Sequence, residues 1–263
     1  MVKIASWNVN SVKSRIEHIC NWLKETKCDI LLLQELKTIE ENFPREAIED
    51  LGYNLSIVGQ KTYNGVAILS KFPIEEEIKS LPLFDIESED PQARYVEAVI
   101  SLENEAIRVV SVYVPNGQEI GSEKHQYKMR FFKRLQIHLQ ELLSYDEKLF
   151  IGGDFNVANL DIDVFDPESL EGKIGFEISE RKELRKFINL GMVDSFRFKN
   201  PDIQEFSWWD YRAGGFQQNK GMRIDYIFAS PLAIEAVKSA DIDTKPRGLE
   251  KPSDHCPVLV TTY

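Results

Sequence analysis

The segment Leu149-Phe150-Ile151-Gly152-Gly153-Asp154-Phe155-Asn156-Val157 limits what this chain can build. Its apolar start, Leu149 to Ile151, reads as a buried strand, and the two glycines that follow remove side-chain bulk. In an extended backbone, side chains two apart point the same way, so Asp154 and Asn156 project from the strand end onto one surface. A carboxylate and an amide on a glycine-opened ledge suit the holding of water and a phosphate oxygen. Gly, Asp and Asn are also the usual turn formers, so this stretch alone fits a plain strand exit equally well.

Other stretches repeat the pattern. Val2 to Trp7 alternates as a short strand and runs into Asn8-Val9-Asn10. Val12, Ile16, Ile19, Cys20 and Leu23 then draw one apolar stripe on a helix. Asp29 to Glu35 is an apolar strand with a carboxylate at its end, where one is rarely placed without a partner. Tyr53 to Val58 and Gly65 to Ser70 read as strands, and Tyr95 to Leu102 with Ala106 to Val114 as a hairpin turning at Glu103-Asn104, followed by Pro115-Asn116-Gly117. A helix from about Lys124 to Ser144 buries Phe131, Phe132, Leu135, Leu139, Leu142 and Leu143, and its other face carries Lys128, Arg130, Lys133 and Arg134. That face is solvated by default and is a candidate phosphate-facing surface in so acidic a protein. Ser179 to Leu190 is a helix closed by Gly191, Phe206 to Arg212 an aromatic cluster, and Met222 to Phe228 a strand. Ser253-Asp254-His255-Cys256 precedes the last strand.

Strands of alternating and continuous apolar type, interleaved with a few amphipathic helices, predict an α/β sandwich of two packed sheets with helices outside. The 263 residues, 43% hydrophobic and without a linker or repeat, suit one domain spanning 1–263. Cys20, Cys28 and Cys256 form no CxxC pair, which argues for a reducing compartment. The N-terminus leaves no room for a signal peptide and no apolar run is long enough to span a membrane, so a cytoplasmic protein is expected. A net charge of -11 speaks against non-specific nucleic-acid binding and confines any such surface to a local basic patch. The acidic stretches 75–90 and 161–171 read as solvated loops.

Five predicted strands thus end in polar groups: Asn8 and Asn10, Glu35, Tyr113 and Asn116, Asp154 and Asn156, and Asp254 with His255; a strand interior supplies Asp225. Gathered at one sandwich edge, such hard oxygen ligands with one imidazole select Mg2+ or Mn2+ over Zn2+.

The collinear set Trp7-Asn8-Val9-Asn10, Leu33-Gln34-Glu35, Gly65-Val66-Ala67-Ile68-Leu69, Tyr113-Val114-Pro115-Asn116-Gly117, Gly153-Asp154-Phe155-Asn156-Val157, Arg223-Ile224-Asp225 and Ser253-Asp254-His255 resembles exonuclease III and the class II apurinic/apyrimidinic endonucleases. These belong to the endonuclease/exonuclease/phosphatase superfamily. The resemblance spans the chain and implies a DNase I-like sandwich and Mg2+-dependent hydrolysis of the phosphodiester 5′ to an abasic site. It implies that Glu35 is the principal metal ligand, with Asn8, Asn10, Asp154, Asn156, Asp254 and His255 completing the candidate metal sphere. Some relatives carry Asp at the position of Asn10, which argues against a second tight metal site. By the same resemblance Asp154 activates water, Asn8 and Asn156 hold it and the phosphate, and Tyr113 donates to the phosphate or the leaving oxygen. His255, expected to bond to Asp225, contacts the scissile phosphate; a carboxylate partner orients the imidazole and favours its cation.

The resemblance also places Trp208, Met222 and Ile224 in an apolar pocket for a flipped-out, baseless sugar; residues 222 and 224 share one strand face, although each tryptophan singly reads as core. Asn116, Arg212, Lys220 and Arg223 are candidate contacts to double-stranded DNA with an abasic site or 3′ end. His18, His125 and His138 read as structural. A hydrolase of lipid headgroups and a catalytically silent DNA-binding relative are the competing readings. Absence of a membrane-binding segment and the Trp208 trio favour DNA over the first, and the unbroken ligand set speaks against the second. A monomer is expected.

Overall fold

Alternation along the strands sorts side chains into three apolar layers. In the strands Lys3–Asn8 and Ile30–Gln34, Ile4, Ile30 and Leu32 join a layer between two sheets, whereas Ala5, Trp7, Leu31 and Leu33 pack outward with Ile19, Trp22 and Leu23 of the helix Val12–Thr26. The second sheet repeats this, with Phe150 and Ile227 inward and Ile151, Tyr226 and Phe228 outward against Phe132, Leu135 and Phe187 of the helices Glu123–Leu143 and Ile178–Asn189. The computed structural model describes residues 1–84 and 90–263. It is the α/β sandwich expected from the strand pattern.

Among the described residues the first sheet orders its strands Val237–Ile242, Val258–Thr262, Lys3–Asn8, Ile30–Gln34, Val66–Ser70 and Asn54–Val58. The second runs Ile74–Ile78, Tyr95–Ser101, Ala106–Tyr113, Leu149–Asp154, Asp225–Ala229 and Val193–Asp194. Both have one parallel pair at the centre and antiparallel neighbours on either side. A parallel pair delivers both C-terminal ends to one edge, and its antiparallel neighbours start there. The first sheet therefore brings Asn8, Gln34 and the approach to Val258 together, and the second brings Tyr113, Asp154 and Asp225 together. Every second residue faces inward, so Asn8 continues the face of Ile4 and Ser6, and Asp154 that of Phe150 and Gly152.

The glycines let the two edges close. A Cβ on Gly152 would stand 2.6 Å from Leu32 Cδ1 and 3.1 Å from Ser6 Cβ across the interlayer, and one on Gly153 would run into the Val112 carbonyl of the neighbouring strand in its own sheet.

Several expectations are corrected by tertiary context. Residues 74–78 form an edge strand rather than part of a solvated loop, and the acidic residues Asp85, Glu87 and Glu89 assigned to that loop lie outside the described residues. The 161–171 stretch contains the short helix Pro167–Leu170 and buries Asp163, whose Oδ1 accepts from Arg223 Nε at 2.8 Å and Arg197 Nη2 at 2.6 Å. Burial opposes ionisation of Asp163, but the two guanidiniums hold its pKa below the usual range. The basic helix face is not all solvated: Lys128 and Arg134 are buried, Lys128 against Glu180 and Arg134 against Asp90 and the Leu81 carbonyl. The strand expected over Met222–Phe228 breaks at Arg223–Ile224, which puts Asp225 first in its strand rather than inside it. No helix among the described residues is long and apolar enough to cross a membrane.

Gly152→Val should lower the unfolding free energy by about 1–3 kcal/mol in a urea melt, the usual cost of overpacking. A wild-type melt would contradict the close approach of the sheets at this residue.

Candidate active site

One carboxamide bridges the seam between the two sheet edges at its centre. Asn8 Nδ2 donates to Glu35 Oε1 and to Asp154 Oδ2, both at 2.9 Å, tying the first sheet to the second. Its Oδ1 accepts the Asn10 backbone N–H at 3.0 Å, and Ser253 Oγ donates to its carbonyl at 2.7 Å. Tyr113 donates its hydroxyl to Glu35 Oε1 at 2.9 Å, and Lys37 Nζ lies 2.9 Å from Glu35 Oε2. Burial works against the Glu35 anion, but Lys37 and the Asn8 hydrogen bond lower its pKa.

Glu35, Asn10 and Asn156 follow their strands with φ of 53°, 45° and 53°, in the left-handed region. Such residues cluster where a site over-determines the backbone. The Asn156 backbone N–H donates to Asp154 Oδ1, 2.9 Å away, while the side-chain Nδ2 donates to the Val114 carbonyl at 2.9 Å. The exposed Asn116 donates to Asn156 Oδ1 at 3.1 Å.

Asp154 and Asp225 are both 1% exposed and flank His255, itself 4% exposed. Its Nδ1 lies 2.9 Å from Asp225 Oδ2 and its Nε2 3.7 Å from Asp154 Oδ2. Burial disfavours the imidazolium, yet Asp225 and Asp154 outweigh it and raise the His255 pKa above the ordinary histidine range. For Asp154, burial and then the Asp225 and Glu35 carboxylates raise the pKa against the pull of His255. Ser207 Oγ, which sequence reasoning missed, fixes Asp225 by donating to Oδ2 at 2.6 Å.

Ligand atoms of Glu35, Asp154 and His255 lie within 4.8 Å of one another. Two carboxylates and an imidazole this close together fit a divalent ion, the carboxylates supplying the oxygen ligands a hard ion prefers. Asp254 stands outside this group: its oxygens accept from Asn10 Nδ2 at 2.9 Å and Trp208 Nε1 at 3.1 Å. Beside it lies an apolar cluster of Ala158, Val164, Phe176, Met222 and Ile224, with half-buried Trp208 against it. A cavity of about 490 Å³ opens next to Tyr113 and Asn116, with Gln60, Asn64, Gln92, Arg94, Gln118 and Lys124 among its lining.

A profile of the Endonuclease/Exonuclease/phosphatase family matches residues 5–255. The chain belongs to this family. It is 34% identical to "Exodeoxyribonuclease III" of Haemophilus influenzae, over 98% of both chains. Among solved structures it is similar to a 3′ phosphatase from Neisseria bound to product DNA hairpin, with 38% identity, a TM-score of 0.95 and full coverage of both chains. It is likewise similar to an AP endonuclease from Archaeoglobus fulgidus, with 38% identity and a TM-score of 0.93 over 100% of this chain and 99% of that one.

Within this family member the structure gathers most of the residues singled out by sequence. Asn8, Glu35, Tyr113, Asp154 and Asn156 form one hydrogen-bonded group, the Asp225–His255 pair abuts it with His255 Nε2 3.7 Å from Asp154, and Asn10 and Asp254 adjoin it. Met222 and Ile224 do share one apolar cluster, although the strand breaks between them. The tryptophans divide: Trp209 is core at 2% exposure, while Trp208 borders the cluster. Arg223 is corrected outright, since it is 1% exposed and bound to Asp163 and Asp194 and cannot reach a DNA backbone. Arg212 is exposed and pairs with Asp210, and Lys220 is exposed too. His138 is buried on Glu97, as a structural histidine. Lys37 was missed, although it stands two residues after Glu35.

Asp225→Asn removes the nearest anion from His255 Nδ1, so the imidazolium should release its proton at lower pH than in wild type. An NMR titration of the His255 ring reads this directly, and an unchanged midpoint would show that Asp225 does not hold the charge.

Proposed function

We propose that this protein is a divalent-metal-dependent DNA-repair phosphodiesterase. It hydrolyses the backbone 5′ to abasic sites in duplex DNA and processes 3′ ends. The observation that carries this reading is the adjacency of the Glu35, Asp154 and His255 group to the apolar cluster bordered by Trp208. A phosphate needs the first and a baseless sugar the second. The relatives, an exodeoxyribonuclease, a 3′ phosphatase and an AP endonuclease, support the same chemistry.

In this reading Asp154 takes a proton from the attacking water, because burial beside Asp225 and Glu35 makes its carboxylate more basic than usual. Asn156 and Asn8 fix its orientation, and Asn156 Nδ2, with one proton on the Val114 carbonyl, donates the other to the phosphate. His255, oriented by Asp225, acts as a cationic donor to a non-bridging oxygen rather than as a metal ligand. Burial, with Glu35 and Asp154 nearby, raises the Tyr113 pKa well above its usual value, so its hydroxyl stays protonated as a donor. Mg2+, with Mn2+ as substitute, would be held by Glu35, with Asp154 and the Asn8 and Asn10 amides adjoining, and would offset charge developing on the phosphate. Asp254 acts through the side chains it holds, Asn10 and Trp208. Trp208, Met222 and Ile224 admit the baseless sugar, and Asn116 and Arg212 contact the strand. The chain acts as one domain and as a monomer.

A labelled duplex with a single tetrahydrofuran site, incubated with Mg2+, Mn2+ or chelator, tests the reading. A metal-dependent nick 5′ to the site is expected, and turnover in excess chelator would refute the metal role. Glu35→Gln should lower cleavage by about two orders of magnitude or more, as removal of several kcal/mol of metal stabilisation implies, with partial recovery at raised metal concentration. Trp208→Ala should lower kcat/KM on this duplex by about tenfold or more, the worth of a lost apolar contact. Its melting temperature should move little; equal losses in activity and stability would assign Trp208 to packing.

A further inference from the structure

Lys128 is the one residue of the basic helix face that lies directly beneath the site, and its burial is complete at 0% exposure. Its ammonium has three protons, and each finds an acceptor: the Asn156 carbonyl at 2.9 Å, the Asn116 carbonyl at 3.2 Å and Glu180 Oε1 at 2.5 Å. Glu180, also 0% exposed, uses its second oxygen to accept the Gly175 N–H at 2.6 Å. Gly175 in turn accepts from Ala158 N at 2.8 Å, at the rim of the apolar cluster. The stem of Lys128 is packed as closely as its head, since a Cβ on Gly117 would lie 3.1 Å from Lys128 Cδ.

We propose that Lys128 is a positioning residue for the hydrolysis, acting through Asn156 and Asn116 from beneath the site. This inference rests on the phosphodiesterase reading above. The peptide after Asn156 is the one that must be held if Asn156 is to keep its left-handed φ of 53°. The Asn156 N–H donates to Asp154 Oδ1 and sets the orientation of the carboxylate that receives the proton from water, and anchoring Asn156 at its own carbonyl keeps that donor in place. The same ammonium holds the Asn116 carbonyl, and Asn116 donates to Asn156 Oδ1, so both sides of the Asn156 turn depend on one cation. A neutral amide offers two protons in one plane, whereas an ammonium offers three in a tetrahedral arrangement, which is what two carbonyls and a carboxylate require. Glu180 supplies the counter-charge that lets the cation remain buried and carries the linkage to Gly175.

The double substitution Lys128→Met with Glu180→Gln removes the ammonium without stranding a buried carboxylate, and the glutamine can still accept from Gly175. Its kcat on the tetrahydrofuran duplex should fall 10- to 100-fold, the usual effect of losing an orienting partner, with KM little changed. Hydrogen exchange of the amides of Phe155 to Ala158 should quicken beyond what the change in global stability explains. Arg108→Met with Glu97→Gln breaks another buried ion pair, remote from the site, and should lower the melting temperature without changing kcat. An unchanged kcat in the Lys128 variant of an active enzyme, or unchanged exchange over Phe155 to Ala158, would overturn the inference. A wild type that fails to cut the duplex would instead sink the phosphodiesterase reading, and the exchange measurement would then decide the role of Lys128 by itself.

Discussion

Each sheet carries one parallel strand pair at its centre, and that pairing decides where chemistry can sit. Parallel neighbours release their C-terminal ends at the same edge, so Asn8 emerges beside Gln34 and Tyr113 beside Asp154. Flanking antiparallel strands begin where these end, which brings in Asp225 and the turn before Val258. Stacking the sheets face to face then sets the two polar edges against each other. The apolar layers supply the stability this needs: burying a Leu, Ile or Phe is worth about 1.5–3 kcal/mol, while each buried charge costs several kcal/mol unless paired. A seam holding Asp154, Asp225 and His255 at a few per cent exposure is tolerable only beneath such a core.

Within the seam, charge is distributed so that neighbouring groups hold opposite protonation preferences. Glu35 is held ionised beside Lys37, His255 is held as a cation between two carboxylates, and Asp154 is pushed toward accepting a proton. Pairs of titratable groups pulled apart in this way are the arrangement that acid–base work at neutral pH requires. The left-handed turns at Asn10, Glu35 and Asn156 cost on the order of 1–2 kcal/mol per residue, and they persist because backbone and side-chain hydrogen bonds on both sides fix them.

Much of this was legible in the sequence because the signal was local. Apolar runs ending in Asn, Glu or Asp marked the strands and their polar ends, and the period of two showed which side chains share a face. What escaped was non-local. Lys128 and Arg134 sit on a helix among exposed Arg130 and Lys133, and nothing in their spacing announces Glu180 or Asp90 as partners. Arg223 looked like a DNA contact because it lies between two pocket residues, but Asp163 and Asp194, 60 and 29 positions away, bury it. The edge strand Ile74–Ile78 reads as a loop because Glu75, Glu76 and Glu77 are charged, and only pairing with Tyr95–Ser101 makes it a strand. Left-handed φ at Glu35 has no composition signal at all.

The central claim is that carboxylates from opposite sheets serve one divalent ion. An anomalous difference map from a crystal soaked in Mn2+ tests it most directly. One strong peak is expected about 2.0–2.3 Å from a Glu35 carboxylate oxygen, on the side facing Asp154 and within the seam closed by Asn8. A map with no peak at Glu35, or with manganese bound only at a site remote from both sheet edges, would contradict it.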